Sequence, residues 1–188
     1  GKDEAVVETA GLGRKGGGVT PHVRLARDRA EIFAARLAQS SARLLISGDV
    51  VVSTATEVLT SMRPFEAKAV VNHHQLPTSV QALAPEARFP GVESLDILSD
   101  CFGPENLQTA DVTVLSEGLF GDGIFANIML LGMAYQWGAV PLGEAAILRA
   151  IEMNGVAADT NKTAFNWGRR LTHNPAAVRQ AAGAAHEP

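Results

Sequence analysis

The sequence has a single cysteine, Cys101, and little aromatic side chain: one tyrosine, two tryptophans and seven phenylalanines in 188 residues. One thiol excludes an intrachain disulfide and the multi-cysteine sets that ligate zinc or iron–sulfur clusters. It fits a reducing compartment, and Cys101 itself reads as a buried, inert thiol. Long apolar runs are also missing. The longest, Ile124 to Tyr135, is interrupted by Asn127 and Gly132 and is too short for a membrane span. The N-terminus is polar and acidic, so no secretory signal is visible, and the expected location is the cytoplasm. Positive charge is scarce. The net charge is −4, and the local basic clusters are Arg14-Lys15 and Arg169-Arg170, a balance that does not advertise nucleic-acid binding. Gly1 stands where an initiator methionine is usual, which sets the expectation that the sequence begins inside a longer protein.

What is present is a globular composition, 46% hydrophobic and 19% charged, enough for one domain over 1–188 with a substantial core. The most informative stretch runs from Gly11 to Arg24. It sets Gly13, Gly16, Gly17 and Gly18 around Arg14-Lys15 and leads directly into a strand-like segment. Glycine permits tight turns and close backbone approach, and successive N–H groups beside cations favour an anion. A plain turn, an anion cradle and a contact to a partner domain all fit this loop.

Ala5 to Thr9 reads as a short strand feeding the loop. Val19 to Ala26 alternates, with Val19, Val23 and Leu25 on one face and His22 and Arg24 on the other, the period of a half-buried strand. His22 and Arg24 can therefore converge on one site. Asp49 to Ser53 is predicted to be a buried strand, Thr54 to Arg63 a helix stopped by Pro64, and Ala67 to Asn72 a second buried strand. Strand, helix, strand implies a parallel sheet, and apolar strands without alternation suit a sheet covered on both faces. Arg88 to Gly103 reads as loop. Asn106 to Glu117, Asp122 to Trp137, Gly143 to Asn154 and Ala157 to Arg170 read as helices. Gly121-Asp122-Gly123 is expected to supply a turn and an N-cap, Asn154-Gly155 a C-cap, and Asn127 a satisfied core amide. The tail over 173–188 is expected to fray. The predicted fold class is three-layer α/β/α with a mainly parallel sheet and a helical C-terminal portion. His73-His74 suggest a metal at first sight, but neighbours in a strand point to opposite faces and no partner ligand stands at zinc spacing, so no metal site is assigned.

Several of these segments, taken in order, resemble the gamma subunit of the 2-oxoacid:ferredoxin oxidoreductases. Gly11 to Val19 followed by His22-Val23-Arg24 resembles that family's glycine-rich signature. Gly48 to Val52 resembles its next strand, and Val71-Asn72 with Pro77-Thr78 the strand and turn after it. Ala126-Asn127, Leu131-Gly132 with Gln136, and Pro141-Leu142 resemble its long helix and the break that follows. Ala150 to Glu152 with Asn154-Gly155, then Asn161, Ala164-Phe165 and Trp167-Gly168-Arg169, complete the series. The match runs from about Glu8 to Arg170 and is closest to the indolepyruvate ferredoxin oxidoreductases, whose subunits are in some cases fused. Departures are Arg14 where glutamine is usual, Gly13 and Gly18 where alanine is usual, and Thr20-Pro21 ahead of His22. The strand and glycine-rich turn that open the family's domain are expected to be lacking.

The resemblance implies oxidative decarboxylation of a 2-oxoacid to an acyl-coenzyme A, with electrons passed to ferredoxin. Thiamine diphosphate, magnesium and iron–sulfur clusters would belong to the catalytic subunits or domains that are its expected partners, with no cofactor bound by this domain and no catalytic residue within it. Gly11, Arg14, Lys15, Gly16, Gly17, Gly18, His22 and Arg24 are the candidate residues for contact with coenzyme A or a partner. Two other readings compete: a free-standing nucleotide- or coenzyme A-binding module, and a purely structural assembly domain. The apolar C-terminal helices are also compatible with a homodimer.

Overall fold

The computed structural model describes residues 6–10, 20–26, 28, 30, 37–74 and 90–183. Two strands come first, β1 (Val6–Ala10) and β2 (His22–Ala26), paired antiparallel with Ala10 opposite His22 and Val6 opposite Ala26. The glycine-rich segment joins them. Within β2, Val23 is half exposed while His22, Arg24 and Leu25 are partly buried, so alternation alone did not identify which side of this strand is covered.

A parallel sheet follows, in the order β3 (Leu44–Ser47), β4 (Lys68–Asn72), β5 (Leu107–Ala110). Leu45 pairs with Ala69, and Val71 with Thr109. Side chains alternate across the sheet. Leu45, Ala69 and Val71 face a layer made by α1 (Val50–Ser53), α2 (Thr56–Ser61) and α3 (Pro90–Phe102), which contribute Val50, Val58, Leu98 and Phe102. Leu44, Val70 and Ala110 face the opposite layer. There α4 (Val112–Phe120), α5 (Ala126–Gln136) and α7 (Ala158–His173) bring Val112, Leu115, Met129, Leu130 and Ala164. Helix α6 (Glu144–Asn154) closes a third cluster, Ile147 and Ile151 against Phe165. The architecture is α/β/α with a parallel sheet and a helical C-terminal part, the predicted fold class, although the first strand of the sheet is Leu44–Ser47 and not the expected Asp49–Ser53.

Four boundaries differ from expectation, each for a local reason. Val50–Ser53 is helical although valine favours strands. The strand ends earlier, at Ser47, and the Asp49 carboxylate accepts from the N–H groups of Val51 (2.8 Å) and Val52 (3.1 Å), which starts a helix. Pro90–Phe102 is helical despite its loop-like composition. Proline is pre-organised for a first helical position, and Gly91, Ser94, Leu98 and Phe102 form its buried stripe. Leu107–Ala110 is the third strand, because the next helix begins only where Asp111 caps the N–H of Val114 (2.9 Å). The expected frayed tail contains α8 (Pro175–Ala181), capped by Asn174 and anchored by the fully buried Val178.

Other expectations hold. Gly121 ends α4 in the left-handed region, and the Asp122 carboxylate accepts from the N–H of Ile124 to start the 3-10 turn Gly123–Phe125. Gly155, with φ +72°, caps α6. Among the described residues no helix is long and apolar enough to cross a membrane.

Candidate functional site

Parallel α/β sheets place their functional residues at the carboxyl ends of the strands. Here that end is organised by Asn72, the last residue of β4 and only 3% exposed. Its Nδ2 donates to the carbonyl of Gly48 (3.2 Å) and to Oγ1 of Thr113 (2.9 Å), and its Oδ1 accepts from the N–H of Val112 (2.9 Å). One amide thus joins the ends of all three strands. Gly48 is packed close to Asn127, and Gly123 lies against the methyl group of Thr113. Asn127 is exposed on this surface, which corrects the expectation of a core amide. It follows Ala126, at the start of α5, where the helix rises out of the core.

The chain leaves β4 through His73 and His74. The N–H of His73 donates to the carbonyl of Ala110 (3.1 Å), extending the ladder by one step. Nδ1 of His74 lies 3.0 Å from both carboxylate oxygens of Asp111, which also caps α4. A carboxylate on Nδ1 fixes the orientation of the ring and leaves Nε2 as its outer nitrogen. Sequence separation hid this pair, because strand β5 alone brings Asp111 alongside. Among the described residues no three His, Cys, Asp or Glu side chains come together. The three aspartates of this end, Asp49, Asp111 and Asp122, each accept N–H groups of a helical turn.

Of the residues singled out in the sequence, Gly11, Arg14, Lys15, Gly16, Gly17 and Gly18 lie outside the described residues. His22 and Arg24 share one face of β2 and are partly buried. Nδ1 of His22 accepts from the N–H of Leu37 (3.2 Å), and Leu37 packs against the α1–α2–α3 core. That bond gives His22 a role in attaching the hairpin. Cys101 is partly buried, and burial pushes its thiol pKa up; a thiol so shifted carries less thiolate and is less reactive.

A second constellation sits where α5 crosses α7. A Cβ on Gly132 would overlap the carbonyl oxygen of Phe165, and one on Gly168 would overlap that of Met129. The two glycines let the helix backbones touch. Beside them Arg169 donates from Nε to Oε1 of Gln136 (2.9 Å) and from Nη1 to Glu144 (2.7 Å), with its guanidinium over Tyr135. Because Oε1 of Gln136 is taken by Arg169, the amide turns its Nε2 to Nε2 of His173 at 2.7 Å. The neighbouring Arg170 lies over the Trp167 ring. The Arg169-Arg170 cluster is therefore engaged in packing. Compared with known proteins, the chain matches no family model and no curated protein.

Proposed function

We propose that this chain is the gamma-type subunit or domain of a 2-oxoacid:ferredoxin oxidoreductase, acting on indolepyruvate or a related 2-oxoacid. In this role it shapes and assembles the enzyme, while thiamine diphosphate, magnesium and iron–sulfur clusters on partner subunits supply the chemistry. The observation that carries the reading is the α5–α7 crossing. Two segments that resemble the family separately, Leu131-Gly132 with Gln136 and Trp167-Gly168-Arg169, interlock through backbone contact and the Arg169–Gln136 hydrogen bond.

The carboxyl end of the sheet supports a non-catalytic role over a nucleotide-binding one. A phosphate would seek the N–H groups at the starts of the helices that follow β3 and β5. Asp49 and Asp111 occupy those positions and present negative charge there. The sequence between β1 and β2, with Arg14 and Lys15, carries the positive charge that coenzyme A phosphates or an acidic partner surface would meet.

Anaerobic isolation of the full chain with its native partners tests the reading. The assembly is expected to contain thiamine and iron, and to reduce a viologen when given indolepyruvate and coenzyme A. Isolation with no thiamine- or iron-bearing partner, or turnover by the chain alone, would overturn it. Within the assembly, Arg14→Glu with Lys15→Glu should weaken activity or subunit retention by roughly tenfold, the scale of losing one hot-spot contact. Calorimetric titration of coenzyme A, with and without the partner subunits, separates the coenzyme contact from the subunit contact.

A further inference from the structure

Among the asparagines of the chain, Asn154 alone precedes a glycine. That neighbour bears on the chemistry of the side chain. The main-chain nitrogen of the next residue can attack an asparagine carboxamide carbon, and glycine, with no Cβ, crowds the approach least. Asn154 is also exposed. Its side chain makes none of the hydrogen bonds that hold Asn72, Asn106, Asn161 and Asn174.

The fold sets when this attack can occur. Asn154 is the last residue of α6, and Gly155 caps the helix by donating its N–H to the carbonyl of Glu152 (3.1 Å). In that state the attacking nitrogen is held in a hydrogen bond. Helical dihedrals at Asn154 also keep it out of line with the carboxamide carbon. Attack therefore requires the last turn to open, and little opposes the opening. Residues 152–157 are all exposed, and the buried Ile151 lies just ahead of them. Ala157 sits at φ +44°, a left-handed conformation that an L side chain resists. What closes the turn is polar: Lys162 on Glu152 (2.6 Å), and Nδ2 of Asn161 donating to the carbonyl of Val156 (2.9 Å). Segments with so few buried contacts open at far less cost than global unfolding.

We propose that Asn154 is a site of spontaneous deamidation, gated by opening of the turn between α6 and α7. The Gly155 nitrogen gives its proton to solvent and bonds to Cγ of Asn154. The side-chain amide leaves as ammonia, and a cyclic imide remains. Water then adds to one or the other imide carbonyl, which yields isoaspartate or aspartate; no oxidant or cofactor takes part. Both products act on the junction itself. Aspartate places a further carboxylate near Glu152 at a helix C-terminus, where negative charge is unfavourable. Isoaspartate lengthens the main chain by one carbon, so Gly155 no longer falls at the capping position. The reaction loosens the turn whose opening permits it.

Mass-spectrometric peptide mapping tests the assignment, on the folded full chain held in neutral buffer and on the same chain in urea. The folded chain should gain the amide-to-acid mass at Asn154 ahead of every other asparagine, as a mixture of isoaspartate and aspartate, and several-fold more slowly than in urea. Lys162→Ala and Asn161→Ala release the turn. Each should raise the folded-state rate by about twofold to fivefold, the scale of an exposed contact, and leave the rate in urea unchanged. An intact Asn154 at a time when the chain in urea is fully converted would overturn the proposal. So would conversion to aspartate alone, equal rates in the two states, or a folded-state rate that neither variant moves. No outcome depends on the place of the chain in an oxidoreductase.

Discussion

Asn72 is the side chain on which the carboxyl end of the sheet depends. It satisfies one carbonyl, one hydroxyl and one buried N–H drawn from two separate segments, the end of β3 and the start of α4. Removing one partner from a buried hydrogen bond leaves the other unsatisfied, at about 1–3 kcal/mol per group. Asn72→Ala should therefore lower unfolding free energy by about 2–4 kcal/mol in urea titrations, allowing for partial hydration of the vacated site. Asn72→Asp should be worse, because a carboxylate would then face the Gly48 carbonyl without a donor. Asp111 makes a separable test. Alanine there removes both the α4 cap and the His74 contact, whereas asparagine keeps a capping oxygen. Asp111→Ala should cost about 1–2 kcal/mol and Asp111→Asn less than half of that by the same titration. Neither role was legible in the sequence: Asn72 could be placed at a strand end, but which groups it would meet depends on how β3 and β5 flank it.

At the scale of elements, the tightest constraint is the contact of α5 with α7. Gly132 and Gly168 each face a carbonyl of the opposite helix at a separation no Cβ can share. Gly132→Ala or Gly168→Ala must push the helices apart, at about 2–4 kcal/mol each. Both act through the same separation, so the double variant should cost clearly less than the sum. Such glycines are visible in a sequence, but the partner that forbids a side chain is not. A weaker tie joins α6 to α7, where Lys162 meets Glu152 at 2.6 Å on the surface. Hydrogen bonds from Lys162 and then Arg149 lower the Glu152 pKa. With the folded value below the unfolded one, this contribution is present above the ordinary carboxylate range and is lost as pH falls through the folded value. Glu152→Gln should leave neutral-pH stability nearly unchanged and slightly flatten the acid limb of a pH–stability curve, with the difference shrinking in high salt. Elements with strong local signals, such as α6 between Gly143 and Gly155, could be read in advance. Val50–Ser53 and Leu107–Ala110 could not, because a capping aspartate decided each boundary against the preference of the residues that follow it.

For the molecule as a whole, the layered plan followed from β4, whose apolar run with no polar face required cover on both sides. Its third strand and its last helix did not follow, since Leu107–Ala110 and Pro175–Ala181 are short and carry ordinary surface residues. They acquire structure from what they complete. Helix α8 shows how. Its one fully buried side chain, Val178, enters the cluster that also holds Val112, Leu115 and Leu171, and Ala182 closes over Gly118 of α4. The end of the chain is therefore part of the core on the α4–α5–α7 side. Val178→Ala should cost about 2 kcal/mol for the methyl groups lost and the cavity left. Ending the chain after Asn174 should cost more, because it uncovers Leu115 and Leu171 as well. If α8 were only a frayed extension, both changes would leave the unfolding midpoint in urea where it was. Equal midpoints for the intact and shortened chains would detach α8 from the core, whereas a lower midpoint with a smaller denaturant slope would place α8 within the cooperative unit.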